Sequence, residues 1–300
     1  MLGTPPHLPD YVGSHRVTRV ENSYYEPIDA PSDAARDEGD FEYFRPTEAT
    51  LSVWSPTMQH GGPPSALLMR SLLRCQPDPA QHFTRVTTEI LGPVGLGVNR
   101  IAARVVRPGR QISLVETELQ VQQADGTFRA AARSVGWRLR VADTAEIANG
   151  PAPLSPGPDE SKAVIGFSDD NGEAVDWGTL GFIGTIESIR TEGRNGSTPA
   201  VWLRPAIPLV ADEKTEDLES MFTVIDVANG LGTRLRPNRW TWMNTDTTVH
   251  LTRVPSGPWV GIDAHMIAGP DGFGSTFADL YDASGHIGRS AQTVMLSAVQ

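Results

Sequence analysis

Val115, Thr117, Leu119 and Val121 alternate with Glu116, Glu118, Gln120 and Gln122, the period-two pattern of a strand with one buried face. Asp125-Gly126 then supplies a hairpin turn, and a second strand is expected over Phe128–Leu139. Ahead of these strands, His60–Cys75 carries apolar residues at helical spacing, with Arg70 and Arg74 on one polar side. Gly61-Gly62-Pro63-Pro64 opens that helix, and proline is tolerated in a first turn whose N–H groups have no intrahelical acceptor. The order recurs further on: a helix over about Asp217–Asn229, strands over Asn238–Leu251, Trp259–Ala268 and Gly274–Tyr281, a turn at Ser284-Gly285, and a strand over Ile287–Leu296.

The recurrence keeps its register. Gly285 lies 159 residues after Gly126 and Gly257 lies 160 after Gly97, so the chain reads as a duplicated domain. Between about 142 and 178 the composition turns to Pro, Gly, Asp and Glu, a linker or long surface excursion. The expected organisation is an N-terminal extension over 1–40, a first repeat over 41–141, the linker over 142–178 and a second repeat over 179–300. A helix followed by an antiparallel meander, used twice, is an α+β plan in which each sheet buries one face on its helix.

Composition narrows the partners. The 300 residues carry a formal charge of −11, and the arginines form no run, which argues against a nucleic-acid footprint. Cys75 is the only cysteine, so a disulfide framework and multi-cysteine metal sites are excluded and a cytoplasmic location is expected. Met1–His15 lacks a basic stretch leading into an apolar one, and no run approaches the ~18 apolar residues of a membrane span. A G-x-S-x-G elbow, a P-loop and an HExxH helix are all missing, which weakens serine-hydrolase and metalloenzyme readings; neither metal nor cofactor is expected.

Asp226 stands out chemically. It is a lone carboxylate in the apolar run Met221 to Ala228, where an unpaired charge costs several kcal/mol unless it has a partner or a task. At the repeat offset of 159, Asp226 falls opposite Leu67 and Gln292 opposite Arg133, so the carboxylate and the amide occur together only in the second copy. That points to one asymmetric site. Strand parity puts Gln292 on the face of Val294 and Leu296, towards apolar surroundings. Asp246 is a second carboxylate, ranked lower because Thr245 and Thr247 beside it read as exposed. Trp240, Trp242 and Trp259 read as sheet core or subunit interface.

His60-Gly61-Gly62-Pro63-Pro64-Ser65-Ala66-Leu67-Leu68, the turn Arg107-Pro108-Gly109-Arg110, and the set Asp226, Asn244 and Gln292 resemble the acyl-CoA thioesterase II family of double hotdog proteins. The resemblance runs over about 41–139 and 217–296 and rests on the order and spacing of the whole set. It implies two hotdog repeats, each a curved antiparallel sheet wrapped around a central helix. It also implies a hydrolase of lipid metabolism that cleaves acyl-CoA to a fatty acid and coenzyme A. In that family an Asp, a Thr and a Gln hold the attacking water; Asp226 and Gln292 carry over directly, and Asn244 stands where a Thr is common. Asn also donates and accepts hydrogen bonds, so water binding survives the change.

His60, Gly61 and Gly62 are expected to offer helix-start N–H groups to an oxyanion, and Arg107 and Arg110 to meet coenzyme A phosphates, although a plain Pro-Gly hairpin turn explains those arginines as well. Two rivals stand beside hydrolysis. A hydratase of the same fold would use an Asp and a His close together in one segment, and neither half shows such a pair. A non-catalytic acyl or acyl-CoA binding protein is the other, with Asn244 marking lost activity. Fused repeats permit a monomer, and a further homodimer is expected.

Overall fold

The structure, a computed structural model, describes residues 22–31, 40–167, 181–191 and 198–299. In chain order its strands are β1 (Tyr25–Ile28), β2 (Glu42–Pro46), β3 (Gln81–Ile90), β4 (Asn99–Arg107), β5 (Ile112–Gln122), β6 (Phe128–Arg140), β7 (Val164–Ile165), β8 (Ile186–Thr191), β9 (Ala200–Pro205), β10 (Trp240–Asn244), β11 (Asp246–Leu251), β12 (Val260–Ala268), β13 (Phe273–Asp282) and β14 (Gly285–Ala298). They form one antiparallel sheet in the order β1-β2-β4-β5-β6-β3-β11-β14-β13-β12-β9-β8-β7, with β10 alongside β14. From the β3–β11 junction the order runs β3-β6-β5-β4-β2 one way and β11-β14-β13-β12-β9 the other, each strand answered by its counterpart. Thr87 and Thr248 share a 3.1 Å hydrogen bond across that junction.

Two helices lie in the sheet's concave side. α1 (Gly62–Arg74) buries Leu67, Leu68 and Leu72 completely, against the inward residues of β5, Val115, Leu119 and Val121. Each such side chain contributes about 1.5–3 kcal/mol by leaving water. α2 (Asp217–Val224) opens with a reciprocal pair in which Glu216 and Glu219 each accept from the other's backbone N–H. The expected helix over 217–229 is not continuous: it tightens into a 3-10 turn at Ile225–Val227 before α3 (Ala228–Leu231). Thr223, Val224, Ile225 and Val227 are β-branched and weak helix formers, and 3-10 geometry is common where a helix ends.

Arg70 departs from the expected polar side of α1. It is 1% exposed and bridges Glu42 of β2 at 3.0 Å and Glu213, ahead of α2, at 2.9 Å. Hydrogen bonding from Arg70 holds Glu213 below the ordinary glutamate value against the opposing effect of burial, with Arg74 adding attraction, whereas burial lifts Glu219. A depressed carboxylate stabilises the fold above its unfolded value of 4.5 and loses that contribution as pH falls through the folded one. Glu219 acts with opposite sign. Thermal unfolding from pH 6 to pH 3 should therefore show Glu213→Gln losing less Tm below about pH 4.5 than the parent.

β1 falls inside the segment read as an extension and pairs with β2. The Pro- and Gly-rich stretch is described as far as 167 and holds only two 3-10 turns and β7. It is anchored to the second half of the sheet: Leu154 is buried with Trp202 and Trp259, and Trp202 Nε1 donates to Pro156 O at 3.1 Å. Among the described residues no helix is long and apolar enough to cross a membrane.

Candidate active site

The N-terminal end of α1 meets the 3-10 turn after α2. Asp226, on that turn, is 4% exposed, and its carboxylate lies against the first turn of α1, the helix end at which negative charge is favoured. Two glycines make the approach feasible. A Cβ on Gly61 would stand 2.7 Å from Asp226 Oδ2, and one on Gly62 would stand 2.3 Å from the carbonyl oxygen of Thr223.

Asn244, at the end of β10, donates from Nδ2 to Asp226 Oδ1 at 2.7 Å, and Asn229 of α3 donates to Asn244 Oδ1 at 3.3 Å. The other carboxylate oxygen, Oδ2, lies 3.1 Å from His60 Nδ1. The same nitrogen accepts from Gly62 N–H at 3.3 Å, and the His60 ring packs on Phe182 with centroids 4.6 Å apart. Gln292 of β14, 2% exposed, donates from Nε2 to the main-chain oxygen of Asp226 at 3.2 Å and to Thr247 Oγ1 at 3.0 Å. The carbonyl acceptor fixes the amide orientation, because a flipped amide would set two oxygens against each other. Gln292 Oε1 and Thr276 Oγ1, from directly paired residues of β13 and β14, are buried without a hydrogen-bond partner among the described residues.

Thr247 is the member that sequence reasoning placed wrongly. It was read as exposed and is 4% exposed. Asn244 pairs with Val294 and Thr248 with Ala291, so four residues on one side span three on the other. The extra residue is a bulge, which reverses strand parity and turns Asn244 and Thr247 to the same face. Asp246 is turned outward instead and accepts from Thr293 N–H at 3.1 Å, away from Asp226. The signal was legible in Asn244 and Asp246, two poor strand residues interrupting a β-branched and aromatic run. Asn229, read only as a helix end, was also missed.

The sheet register corrects the comparison between halves. Arg133 points outward to Glu89, so the residue answering Gln292 is its neighbour Ser134. There Ser134 and Thr88 share a 2.7 Å hydrogen bond, and Thr117 donates to Ser71 of α1 at 3.2 Å. The first half closes that place with short hydroxyls. In the second half the longer Gln292 reaches the turn that carries Asp226.

Arg107 and Arg110 lie on a turn away from Asp226. Gly109 O of their turn accepts from Gln81 Nε2 at 2.7 Å, beyond the C-terminal end of α1, and Arg107 donates to Ile112 O at 2.8 Å. The 13 residues of α1 span about 20 Å, so this turn is roughly a helix length from Asp226. Among the described residues no three His, Cys, Asp or Glu side chains are placed to hold a metal ion. Beside the site a cavity of about 290 Å³ is bounded by His60, Val227, Asn229, Leu231, Trp54 and Trp242.

Two sequence models of one family match the chain, the acyl-CoA thioesterase N-terminal domain over residues 50–139 and the C-terminal domain over residues 158–296. The chain belongs to the acyl-CoA thioesterase family. Solved structures agree with that membership at the level of fold. A conserved protein of unknown function with a hot dog fold from Alicyclobacillus acidocaldarius superposes with a TM-score of 0.64 at 12% identity, over 89% of this chain and 96% of its own. The tesB protein of Mycobacterium avium subs paratuberculosis gives 0.57 at 13% identity, over 86% and 92%. The acyl-CoA thioesterase II TesB2 of Mycobacterium marinum gives 0.56 at 12% identity, over 85% and 92%. No curated protein sequence matches. The hotdog fold is thus a feature this chain shares with these solved structures.

Proposed function

We propose that this family member is a cytoplasmic double hotdog acyl-CoA thioesterase that cleaves acyl-CoA to a free fatty acid and coenzyme A. The observation that carries the reading is the buried Asp226 carboxylate, with one oxygen bound by Asn244 at 2.7 Å and the other turned to His60 beside an apolar cavity. Palindromic strand order around two central helices supports the two tandem repeats.

In this mechanism Asp226 Oδ2 takes a proton from a water whose oxygen attacks the thioester carbonyl. Asn244 holds the carboxylate, and Gln292 holds the turn that carries it. Pro63 and Pro64 have no N–H, so the amides this helix start offers a developing oxyanion are those of Gly61 and Gly62. Gly62 N–H is engaged by His60 Nδ1, which leaves Gly61 as the donor. Collapse of the tetrahedral intermediate breaks the C–S bond, and the proton held by Asp226 passes to the departing thiolate.

The His60–Asp226 contact favours a second reading, because it joins a His of the first half to an Asp of the second. Such a pair could add water to an enoyl thioester. One experiment separates the readings: thiol release and product mass are followed with saturated and 2-enoyl CoA esters. Hydrolysis releases one thiol per turnover and should drop at least 100-fold in Gln292→Ala; hydration adds a water's mass to the ester and releases none. Binding without either product would make this an acyl-CoA binding protein.

A further inference from the structure

We infer that Trp54 and Trp242 form the end wall of the acyl pocket and restrict this enzyme to short acyl chains, about six carbons or fewer. The inference rests on the thioesterase reading for its substrate, and on the cavity for its content.

The cavity begins at the reacting groups. His60, which touches Asp226, and Asn229, which donates to Asn244, both line it, so an acyl group whose carbonyl sits at Asp226 enters here. Most of its further wall is hydrocarbon and aromatic, including Val53, Val227, Leu231 and Leu235, with Arg190, Thr198 and Thr233 as polar members. The apolar part suits an alkyl chain. At about 290 Å³ the cavity is at the small end of ligand pockets, which run from ~300 to ~1,000 Å³.

On the side away from Asn244 along β10 it meets aromatic packing. Trp54 and Trp242 meet edge to face with centroids 5.4 Å apart at an interplanar angle of 86°. Trp242 is 7% exposed and clustered with Val294 and Leu296, with Leu235 and Met266 packed on it, so it cannot swing aside without opening that cluster. Trp242 and Asn244 are alternate residues of β10 and share its inner face. The indole therefore starts about 7 Å along the strand from the Asn244 that binds Asp226. An extended chain advances roughly 1.2 Å per bond, so about six carbons bring it to the indole.

The test compares kcat/KM for C4, C6, C8, C12 and C16 acyl-CoA in the parent, Trp54→Ala and Trp242→Phe. The parent should favour C4 to C6 by at least tenfold over C12. Trp54→Ala should raise the C12-to-C4 ratio at least tenfold, and Trp242→Phe should shift the ratio less in the same direction. A parent that prefers C12 or C16, or a folded Trp54→Ala with an unchanged ratio, overturns the inference. If no ester of any length releases thiol, hydrolysis itself fails and the pocket is read separately. Kd values for non-hydrolysable thioether analogues of the same lengths must then show the same order and the same shift in Trp54→Ala, and any other order overturns the end wall.

Discussion

Replacing Asp226 with asparagine should lower kcat for thioester hydrolysis about 10³-fold and leave the fold intact. The amide is nearly isosteric with the carboxylate. Its oxygen still accepts from Asn244, which now donates to Asp226 Oδ1 at 2.7 Å, and its NH₂ takes the place of Oδ2 beside His60. The substitution removes the basic oxygen and little else, and general-base contributions are typically 10²–10⁴ in rate. Far-UV circular dichroism and Tm close to the parent, together with single-turnover rates down by three decades, is the expected outcome. A variant within tenfold of the parent rate would dismiss Asp226 as the base and leave His60 to be tested in its place.

The two glycines at the head of α1 should fail in different ways when each becomes alanine. At Gly62 the new methyl would lie 2.3 Å from the Thr223 carbonyl oxygen and 2.9 Å from Phe182. One contact is with a backbone oxygen and neither helix can yield without separating, so about 3 kcal/mol of stability is expected to go, roughly 6 °C or more in Tm. At Gly61 the methyl would meet the Asp226 carboxylate at 2.7–2.9 Å, the far end of a side chain that can rotate away. Gly61→Ala should cost little stability and about 10²-fold in kcat, since a displacement near 1 Å is enough to spoil alignment. Thermal denaturation and kcat on the same samples separate the pair. Full turnover in a folded Gly61→Ala would show that the rate does not depend on where the carboxylate sits.

Elements with strong periodicity were legible in the chain alone. The β5–β6 hairpin and α1 appear within three residues of their expected bounds, because alternation and helical spacing directly reflect which face is buried. β8 and β9 escaped notice: Ile186–Thr191 mixes Glu, Ser and Arg among its apolar residues, and its strand character comes from its place in the sheet. Of the site, Asp226, Asn244 and Gln292 were found by chemistry and resemblance, and the structure brings them together. Thr247 was hidden by one inserted residue, since a single bulge moves every later side chain to the other face. The His60–Asp226 contact was hidden for a different reason. It joins positions 60 and 226, and no local pattern encodes a meeting between distant segments.

The hydroxyl-lined place in the first half has a consequence for bookkeeping at the bench and for drift over generations. With Ser134 bonded to Thr88 and Thr117 to Ser71, hydroxyls fill that place, so the proposed mechanism gives one reaction centre per chain despite the mirrored sheet. A tight-binding inhibitor should titrate at one equivalent per polypeptide. The inner face of β3, β5 and β6 is answerable only to packing, so it can be rebuilt by mutation while the chemistry next door is held constant.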